Sequence, residues 1–314
     1  MNKRLYERIF PRWRPRDELR PRTSSAGGAS LLIRWLGTAA HVIESETTRI
    51  AIDPFVTRPG LRRVAAASLA PNTQEILDRF GTRLDAVLCG HSHYDHLLDA
   101  PTIARVTGSK LIGSRSTCAF GRAAGVAESQ LIEVPSGGRS ITVGDLAIRF
   151  IPSLHGRIFL GRVPFPGEVS HVASLPVRAR DYRMGGAFGI LIRAKNGEKS
   201  GASVYHNGSA DLVDAELGGE HADVLLIGLA GRQATPDYVA RLAHALTPKV
   251  IVPTHHDAFF APLAWGVHLL PNVDLDGFVS DANRLAPRAR IVTPDYGETL
   301  AVPASSPGDA ALID

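Results

Sequence analysis

Four side chains that bind divalent metals fall within six residues of this chain. Residues Cys89 to His96 read C-G-H-S-H-Y-D-H, which places the donors at His91, His93, Asp95 and His96. Imidazole nitrogens and carboxylate oxygens are donors that Zn²⁺ and related divalent ions accept. The alternative is a polar loop with coincidental histidines, a poor account in a chain with 12 histidines among 314 residues. The spacing therefore predicts a metal site.

A β-strand must position this motif. The apolar run from Leu84 to Leu88 directly precedes it and is typical of a buried strand. A loop leaving such a strand can aim all four side chains at one point. In an α-helix, positions i, i+2, i+4 and i+5 spread around the circumference. We therefore predict that the motif lies in a loop at the end of a strand.

The H-x-H-x-D-H pattern resembles the signature of the metallo-β-lactamase superfamily. In that family the first two histidines hold one metal, and the aspartate and last histidine hold a second. The resemblance implies three later ligands: a histidine after a strand, an aspartate that bridges the metals and a histidine near the C-terminus. It then places His91, His93 and His155 on one metal, Asp95, His96 and His255 on the other, and Asp211 between them.

Two of these assignments had close alternatives. Relatives commonly carry a Gly-Asp element at the bridging position, whereas this chain reads Ser-Ala-Asp, so Asp211 is chosen over Asp214, with His206 as an alternative ligand. In the run Pro-Thr-His-His-Asp, His255 matches the last ligand. The neighbouring His256 is then predicted to support the ligands or to face the substrate.

Asp53 stands at the end of another predicted strand, Thr48 to Ile52, and has two open interpretations. It could accept a hydrogen bond from a ligand histidine and so orient that ring. It could equally be a turn aspartate before proline. His41 in the preceding strand is predicted to be a histidine of the core or its rim.

Alternating strands and helices predict an α/β fold. Together with the resemblance they indicate a four-layer αββα sandwich of the metallo-β-lactamase type. We expect a basic N-terminal arm and linker over residues 1–30, the hydrolase domain over 31–302 and a frayed tail over 303–314.

Residues 157–186 are too long for an ordinary connection, and such loops often bind ligands. They follow His155, so we predict that they form a specificity loop over the metals. The loop carries side chains that are candidates for contacting the substrate: His171, Arg178, Arg180 and Arg183. The arginines could hold a phosphate or carboxylate, with a solvated basic loop as the alternative.

The positive charge is concentrated at the N-terminus. Residues 1–22 contain eight basic and three acidic side chains, whereas the whole chain has a formal net charge of +4. This arm could contact anionic lipid headgroups, nucleic acid or a partner subunit. The alternative, which we favour, is that it packs on its own domain.

Other features limit the protein's location. The chain has no apolar run of about 18 residues and its first 22 residues lack the apolar core of a secretory signal. The two cysteines, Cys89 and Cys118, are too few for a disulfide framework. A reduced cytoplasm is the expected compartment, with peripheral membrane attachment through the arm as an addition.

The resemblance implies a hydrolase that uses two divalent ions, with zinc expected and iron or manganese as alternatives. Two such ions can share an acidic hydroxide that attacks carbon or phosphorus, and Asp95 could orient this nucleophile or accept its proton. Within the superfamily, the W-L-G opening, the D-P strand end and the Pro-Thr-His-His-Asp close look most like the branch of ascorbate-6-phosphate lactonase and N-acyl phosphatidylethanolamine phospholipase D.

The predicted substrate is a small anionic ester, with a phosphodiester favoured and a lactone or other carboxylic ester as the alternative. No additional domain for gripping nucleic acid is visible, so specific nucleic-acid binding is not expected. The alternative of another class is a non-catalytic membrane- or partner-binding protein whose metals are structural. The oligomeric state is left open.

Overall fold

The computed structural model describes residues 2–22, 29–158, 161–196 and 199–304. Three segments fall partly outside this part of the chain: the predicted linker, the frayed tail and the loop over 157–186. The tripeptide Lys-Asn-Gly at residues 195–197 predicts a hairpin turn, and this turn also falls partly outside the described residues. Within the described residues, no helix has the length and apolar character needed to cross a bilayer.

The strands and helices alternate in the second quarter of the chain, as predicted. The strands are β1 (Ala29–Trp35), β2 (His41–Glu44), β3 (Arg49–Ile52), β4 (Ser68–Leu69), β5 (Ala86–Leu88), β6 (Lys110–Gly113), β7 (Leu131–Glu133), β8 (Arg139–Val143), β9 (Leu146–Ser153), β10 (Val177–Arg178), β11 (Ala187–Asn196), β12 (Lys199–Asn207), β13 (Val224–Gly228), β14 (Val250–Thr254), β15 (Arg290–Ile291) and β16 (Thr299–Pro303). The α-helices are α1 (Lys3–Ile9), α2 (Leu61–Ala66), α3 (Thr73–Phe80), α4 (Tyr94–Leu97), α5 (Ala100–Thr107), α6 (Arg115–Ala123), α7 (Tyr238–Leu246) and α8 (Leu275–Leu285).

Two large sheets form the centre of the molecule. The first has the order β16-β1-β2-β3-β5-β6-β7, and the second has the order β15-β14-β13-β12-β11-β9-β8. The strands of each sheet are parallel from β3 to β7 and from β12 to β15. Parallel strands need helical crossovers, which cover the outer faces of the sheets.

Three apolar layers hold the sheets and helices together. One lies between the two sheets and includes Ile50, Leu88, Ile190 and Val204. A second packs the first sheet against α3, α5 and α6. A third packs the second sheet against α7 and α8. This helix–sheet–sheet–helix order confirms the predicted four-layer sandwich.

The N-terminal arm packs on the domain along one face. The side chains of Tyr6 and Phe10 are buried against Ala258 and Ala261. The Tyr6 hydroxyl donates a hydrogen bond to the Ala258 carbonyl at 2.7 Å. The arm therefore packs on its own domain, which is the interpretation favoured from the sequence. Its contacts lie in the segment after His255.

The buried Asp99 carboxylate holds the chain between β3 and α2 against the start of α5. It accepts hydrogen bonds from the backbone N–H groups of Val56 and Thr57 at 2.6 and 2.8 Å. Burial outweighs these hydrogen bonds and raises the pKa of Asp99 to about 6. Because the folded state binds this proton more tightly than the unfolded state, the contribution of Asp99 to stability falls as the pH rises from about 4 to 6.

We expect the Asp99→Asn variant to lose this pH dependence. The difference in free energy of unfolding between parent and variant should change by about 3 kcal/mol between pH 4 and 7. Urea unfolding of both proteins across this range measures the difference, and any pH effect common to the two proteins cancels. A difference that stays constant with pH would show that the carboxylate titrates normally.

Candidate metal centre

The H-x-H-x-D-H motif follows β5 at the middle of the first sheet. Strand β5 is fully buried and pairs in parallel with both β3 and β6. The sequence predicted that the whole motif is a loop, but its second half is helical. His91 and His93 lie between the strand and helix α4, and Asp95 and His96 lie on the single turn of α4. A tight helical turn thus aims the last two donors back toward the first two.

The structure brings six of the seven predicted ligands together. His91, His93 and His155 form one group, and a second group consists of Asp95, His96 and His255. In each group the donor atoms lie within 4.8 Å of one another. The rings of His91 and His96 are only 3.8 Å apart between centroids, so the two groups adjoin.

The orientation of the rings fits metal binding. One nitrogen of each of three histidines is already engaged: His93 Nε2 with Pro164 O at 2.9 Å, His155 Nδ1 with Gly156 O at 2.7 Å and His96 Nδ1 with Asp53 Oδ2 at 2.8 Å. The other nitrogen of each ring is left for a cation. His91 Nε2 is buried without a hydrogen-bond partner in the described structure, as expected for an atom that binds a metal.

Burial keeps the first group neutral, which metal binding requires. It lowers the pKa of His91, His93 and His155, the last to about 3. The second group carries the negative charge. Burial would raise the pKa of Asp95, but His96 and His255 facing it hold the pKa below its ordinary value.

Asp53 orients a ligand and also supports the motif backbone. Its Oδ2 accepts the Nδ1 proton of His96, and its Oδ1 accepts the backbone N–H of Gly90 at 2.6 Å. This contact matches the interpretation of Asp53 as the acceptor behind a ligand histidine. Asp53, His91 and His96 also fall within ligand distance of one another. Because both oxygens of Asp53 are already engaged, we interpret that third group as hydrogen bonding rather than a separate metal site.

We expect Asp53→Asn to weaken metal binding by about 10- to 100-fold, because His96 loses its carboxylate partner. Asparagine tolerates the left-handed backbone of this position, where φ is 44°. Competition with a chromogenic chelator measures the metal affinity. The exposed Asp78→Asn is the matched control and should keep the parent affinity. Equal affinities of parent and Asp53→Asn would contradict the assigned role.

The last ligand depends on a contact with the opening of the domain. Thr38 follows the W-L-G segment, and its carbonyl accepts hydrogen bonds from the backbone N–H of His255 at 2.8 Å and the Thr254 hydroxyl at 2.6 Å. The indole of Trp35 donates to the same oxygen at 3.0 Å. His255 has a φ of 51°, and these bonds hold it in that uncommon conformation.

Asp211 is not part of either group, which corrects its prediction as the bridging ligand. Its carboxylate accepts the backbone N–H of Leu212 at 2.8 Å, and its carbonyl accepts hydrogen bonds from Ser153 and Asn207. The residue after Gly208 is the buried Ser209, whose hydroxyl bonds Asn207 at 3.1 Å. The alternative ligand, His206, is also absent from both groups and donates to the Ala39 carbonyl at 3.0 Å.

His256 does not face an open site, contrary to one of its predicted roles. It is fully buried, stacked on Trp35 with ring centroids 4.9 Å apart and edge-on to Trp13 at 5.8 Å. Side chains of the 157–186 loop are more accessible. The four side chains proposed to contact substrate are all exposed: His171, Arg178, Arg180 and Arg183.

The sequence did not indicate two further groups beside the centre. Pro164 accepts the His93 hydrogen bond, and the adjacent Phe165 ring lies 6.3 Å from the His93 ring. Behind His255, Asp257 pairs with the guanidinium of Arg58 at 2.8 Å in the protein interior. Arg58 lies in a stretch without a recognisable pattern, so no sequence signal marks it.

Comparison with known proteins agrees with this geometry. A family model described as a beta-lactamase superfamily domain matches residues 32–255. A UPF0173 metal-dependent hydrolase from Pyrobaculum arsenaticum is 28% identical over 72% of this chain and 84% of its own length. Another from Agrobacterium fabrum is 26% identical over 85% of this chain and 98% of its own length.

A solved structure has the same fold. Igni18, a metallo hydrolase from Ignicoccus hospitalis, superposes with a TM-score of 0.55 at 21% identity, over 86% of this chain and 97% of its own. The matched family model covers most of the chain and ends at the last predicted ligand. The chain therefore belongs to the metallo-β-lactamase superfamily, within which the relatives named above are described as metal-dependent hydrolases.

Proposed function

We propose that this protein is a hydrolase that uses two divalent metal ions to cleave a small anionic ester, with a phosphodiester as the first candidate. Zinc is the expected metal, with iron or manganese as alternatives. The compartment proposed from the sequence is the cytoplasm.

The observation that carries the proposal is the meeting of two three-donor groups at adjacent positions. A structural zinc site is usually closed by four protein ligands, whereas a catalytic site keeps a position open. Three donors in each group leave room for water or substrate. The neutral rings of the first group and the carboxylate of the second suit cations without further rearrangement.

Divalent ions held in such a site supply Lewis acidity and an acidified water nucleophile near neutral pH. The residues of the chain would hold and orient them: His91, His93 and His155 on one side, and Asp95, His96 and His255 on the other. Asp53 fixes the His96 ring through its Nδ1 proton. Asp95 is the only carboxylate in the two groups, so it is also the candidate for holding the proton of the attacking water.

The proposed substrate is chosen from the resemblance to one branch of the superfamily and from the positive charge of the 157–186 loop. The W-L-G opening and the Pro-Thr-His-His-Asp close resemble the branch that contains ascorbate-6-phosphate lactonase and N-acyl phosphatidylethanolamine phospholipase D. That branch cleaves both carbon esters and phosphodiesters, so a lactone is the second candidate. Exposed arginines on the 157–186 loop favour a negatively charged substrate.

The test compares two chemical classes on protein loaded with zinc, manganese or iron. Bis-p-nitrophenyl phosphate reports phosphodiester cleavage, and a simple lactone reports carboxylic-ester cleavage. Asp95→Ala, prepared in the same way, gives the background from contaminating hydrolases. Metal analysis by mass spectrometry accompanies each assay.

Turnover of the phosphodiester with two metals per chain would support the first candidate. Turnover of the lactone alone would favour the second. If neither substrate is cleaved by protein that contains two metals, the non-catalytic binding alternative is favoured. One metal per chain at saturation would contradict the two-metal part of the proposal.

We expect the 157–186 loop to set specificity through Phe165, which is 38% exposed beside His93. Removing this ring in Phe165→Ala should lower kcat/KM for aromatic esters by about 5- to 30-fold through lost apolar contact. Leu61→Ala, which changes a similarly exposed side chain on α2, is the control. Equal kcat/KM values for parent and Phe165→Ala with aromatic esters would exclude this role.

A further inference from the structure

The outer side of the N-terminal arm exposes apolar side chains next to unpaired positive charges. Helix α1 buries Tyr6, whereas Leu5 and Ile9 are 46% and 45% exposed. These two residues are four positions apart and so lie on one face of the helix. The same helix carries Lys3, Arg4 and Arg8, all exposed.

Helix α2 begins near the end of α1 and also exposes aliphatic and cationic side chains. Leu61 at its start is 41% exposed, and Arg62 and Arg63 beside it are exposed as well. Both helices adjoin Phe260. The Phe10 ring lies 5.8 Å from the Phe260 ring, and a Cβ added at Gly60 would lie 3.8 Å from the Phe260 carbonyl oxygen. We call the exposed side chains of these two neighbouring helices the basic apolar face; it consists of Lys3, Arg4, Leu5, Arg8, Ile9, Leu61, Arg62 and Arg63.

The charges of this face have no ion-pair partner among the residues that the structure describes. None of its five cations forms an ion pair with any residue that the structure describes. Some arginines elsewhere are paired, as Arg122 is with Glu128 and Arg241 with Asp214. Exposed cations around exposed aliphatic side chains suit an anionic partner that also accepts apolar groups.

We infer that the basic apolar face docks the protein on an anionic lipid bilayer. Aliphatic side chains enter the boundary between headgroups and acyl chains, while Lys and Arg contact the negative surface. Nucleic acid would satisfy the charges but would leave Leu5, Ile9 and Leu61 in water. A second copy of the chain would set cations of this face against one another in a two-fold contact. The bilayer accommodates both features.

The arm also links this face to the metal centre. Aromatic rings form a continuous series from Phe10 through Phe260 and Phe259 to His255, with centroid distances of 5.8, 4.6 and 5.5 Å.

Deleting residues 1–22 would remove the buried Tyr6 and Phe10, so it would test folding rather than docking. Substitutions confined to exposed side chains can change docking on the bilayer without disturbing folding.

The experiment is sedimentation of the full chain with vesicles of phosphatidylcholine alone and of phosphatidylcholine mixed with phosphatidylglycerol. Two variants alter the face: Leu5→Glu with Ile9→Glu, and Arg62→Glu with Arg63→Glu. The matched control reverses two exposed arginines elsewhere, Arg105→Glu with Arg139→Glu. Thermal unfolding checks that each variant is folded.

We expect the parent to sediment with the anionic vesicles only, and binding to fall as salt is added. Each variant of the face should bind at least about tenfold more weakly, and the control should bind as the parent does. Equal binding to neutral vesicles, or an equal loss in the control, would overturn the inference. The inference would also be overturned if the parent does not bind vesicles and instead forms dimers, detected by sedimentation velocity, that the variants of the face abolish.

Discussion

Asp95→Asn should lower kcat/KM for the best substrate by about 10²- to 10⁴-fold, the effect of removing a group that handles the reacting proton. The carboxylate Oδ2 lies 3.2 Å from His255 Nε2 and 3.8 Å from His96 Nε2, so the three donors converge. The amide is the same size but cannot bind a cation as strongly. Metal analysis of the variant should show reduced occupancy, and steady-state kinetics with saturating metal measure the remaining loss.

Asp211→Asn is the informative control for this experiment. The resemblance assigns Asp211 as a bridging ligand, whereas its carboxylate bonds the backbone of Leu212 in the structure. We therefore expect this variant to keep the parent metal content and turnover. A loss as large as that of Asp95→Asn would show that Asp211 reaches the metals, and it would contradict the site as described.

Arg58→Met should lower the free energy of unfolding by about 3–5 kcal/mol, because it leaves a buried carboxylate without its cation. Arg58 and Asp257 have side chains that are 1% and 0% exposed, and Nη2 lies 2.8 Å from Oδ2. The same carboxylate accepts hydrogen bonds from Thr38 N–H at 2.8 Å and from the Tyr296 hydroxyl at 2.7 Å. Urea unfolding followed by circular dichroism measures the change.

The same substitution at a surface pair provides the comparison. Arg122→Met removes the partner of Glu128, and the two side chains are 47% and 70% exposed. Solvent screens such a pair, so we expect this variant to unfold at nearly the same urea concentration as the parent. If both variants lose the same stability, the Arg58–Asp257 pair has no special role in holding the segment after His255.

Most of the regular structure was predictable from local patterns. The strand predicted from the apolar run Leu84 to Leu88 is β5 (Ala86–Leu88), and the strand predicted at Thr48 to Ile52 is β3 (Arg49–Ile52). Long apolar runs and caps act over a few residues, so the sequence displays them directly. Helix α2 and the β4–β10 pair were missed, because β4 is two residues long and depends on a partner more than 100 residues away.

The ligands were predictable to different degrees. His91, His93, Asp95 and His96 are adjacent in the chain, so their spacing alone indicated a common target. His155 and His255 were placed by resemblance and are brought to the same centre by strands β9 and β14. Asp211 was also placed by resemblance, but it lies two residues beyond Ser209, the residue after Gly208, and its carboxylate bonds the backbone of Leu212.

The sequence by itself determined the class of fold and the donor chemistry, because both depend on residue types and on short-range spacing. Only the tertiary structure decided which donors meet, and it did so through contacts between distant segments. The Thr38 carbonyl binds the backbone of His255, and Asp53 binds the ring of His96. It also decided how the basic arm packs: Tyr6 is buried, whereas Leu5 and Ile9 are exposed to solvent. Which face of a short helix is covered depends on the surface it meets, and a charge pattern carries no information about that surface.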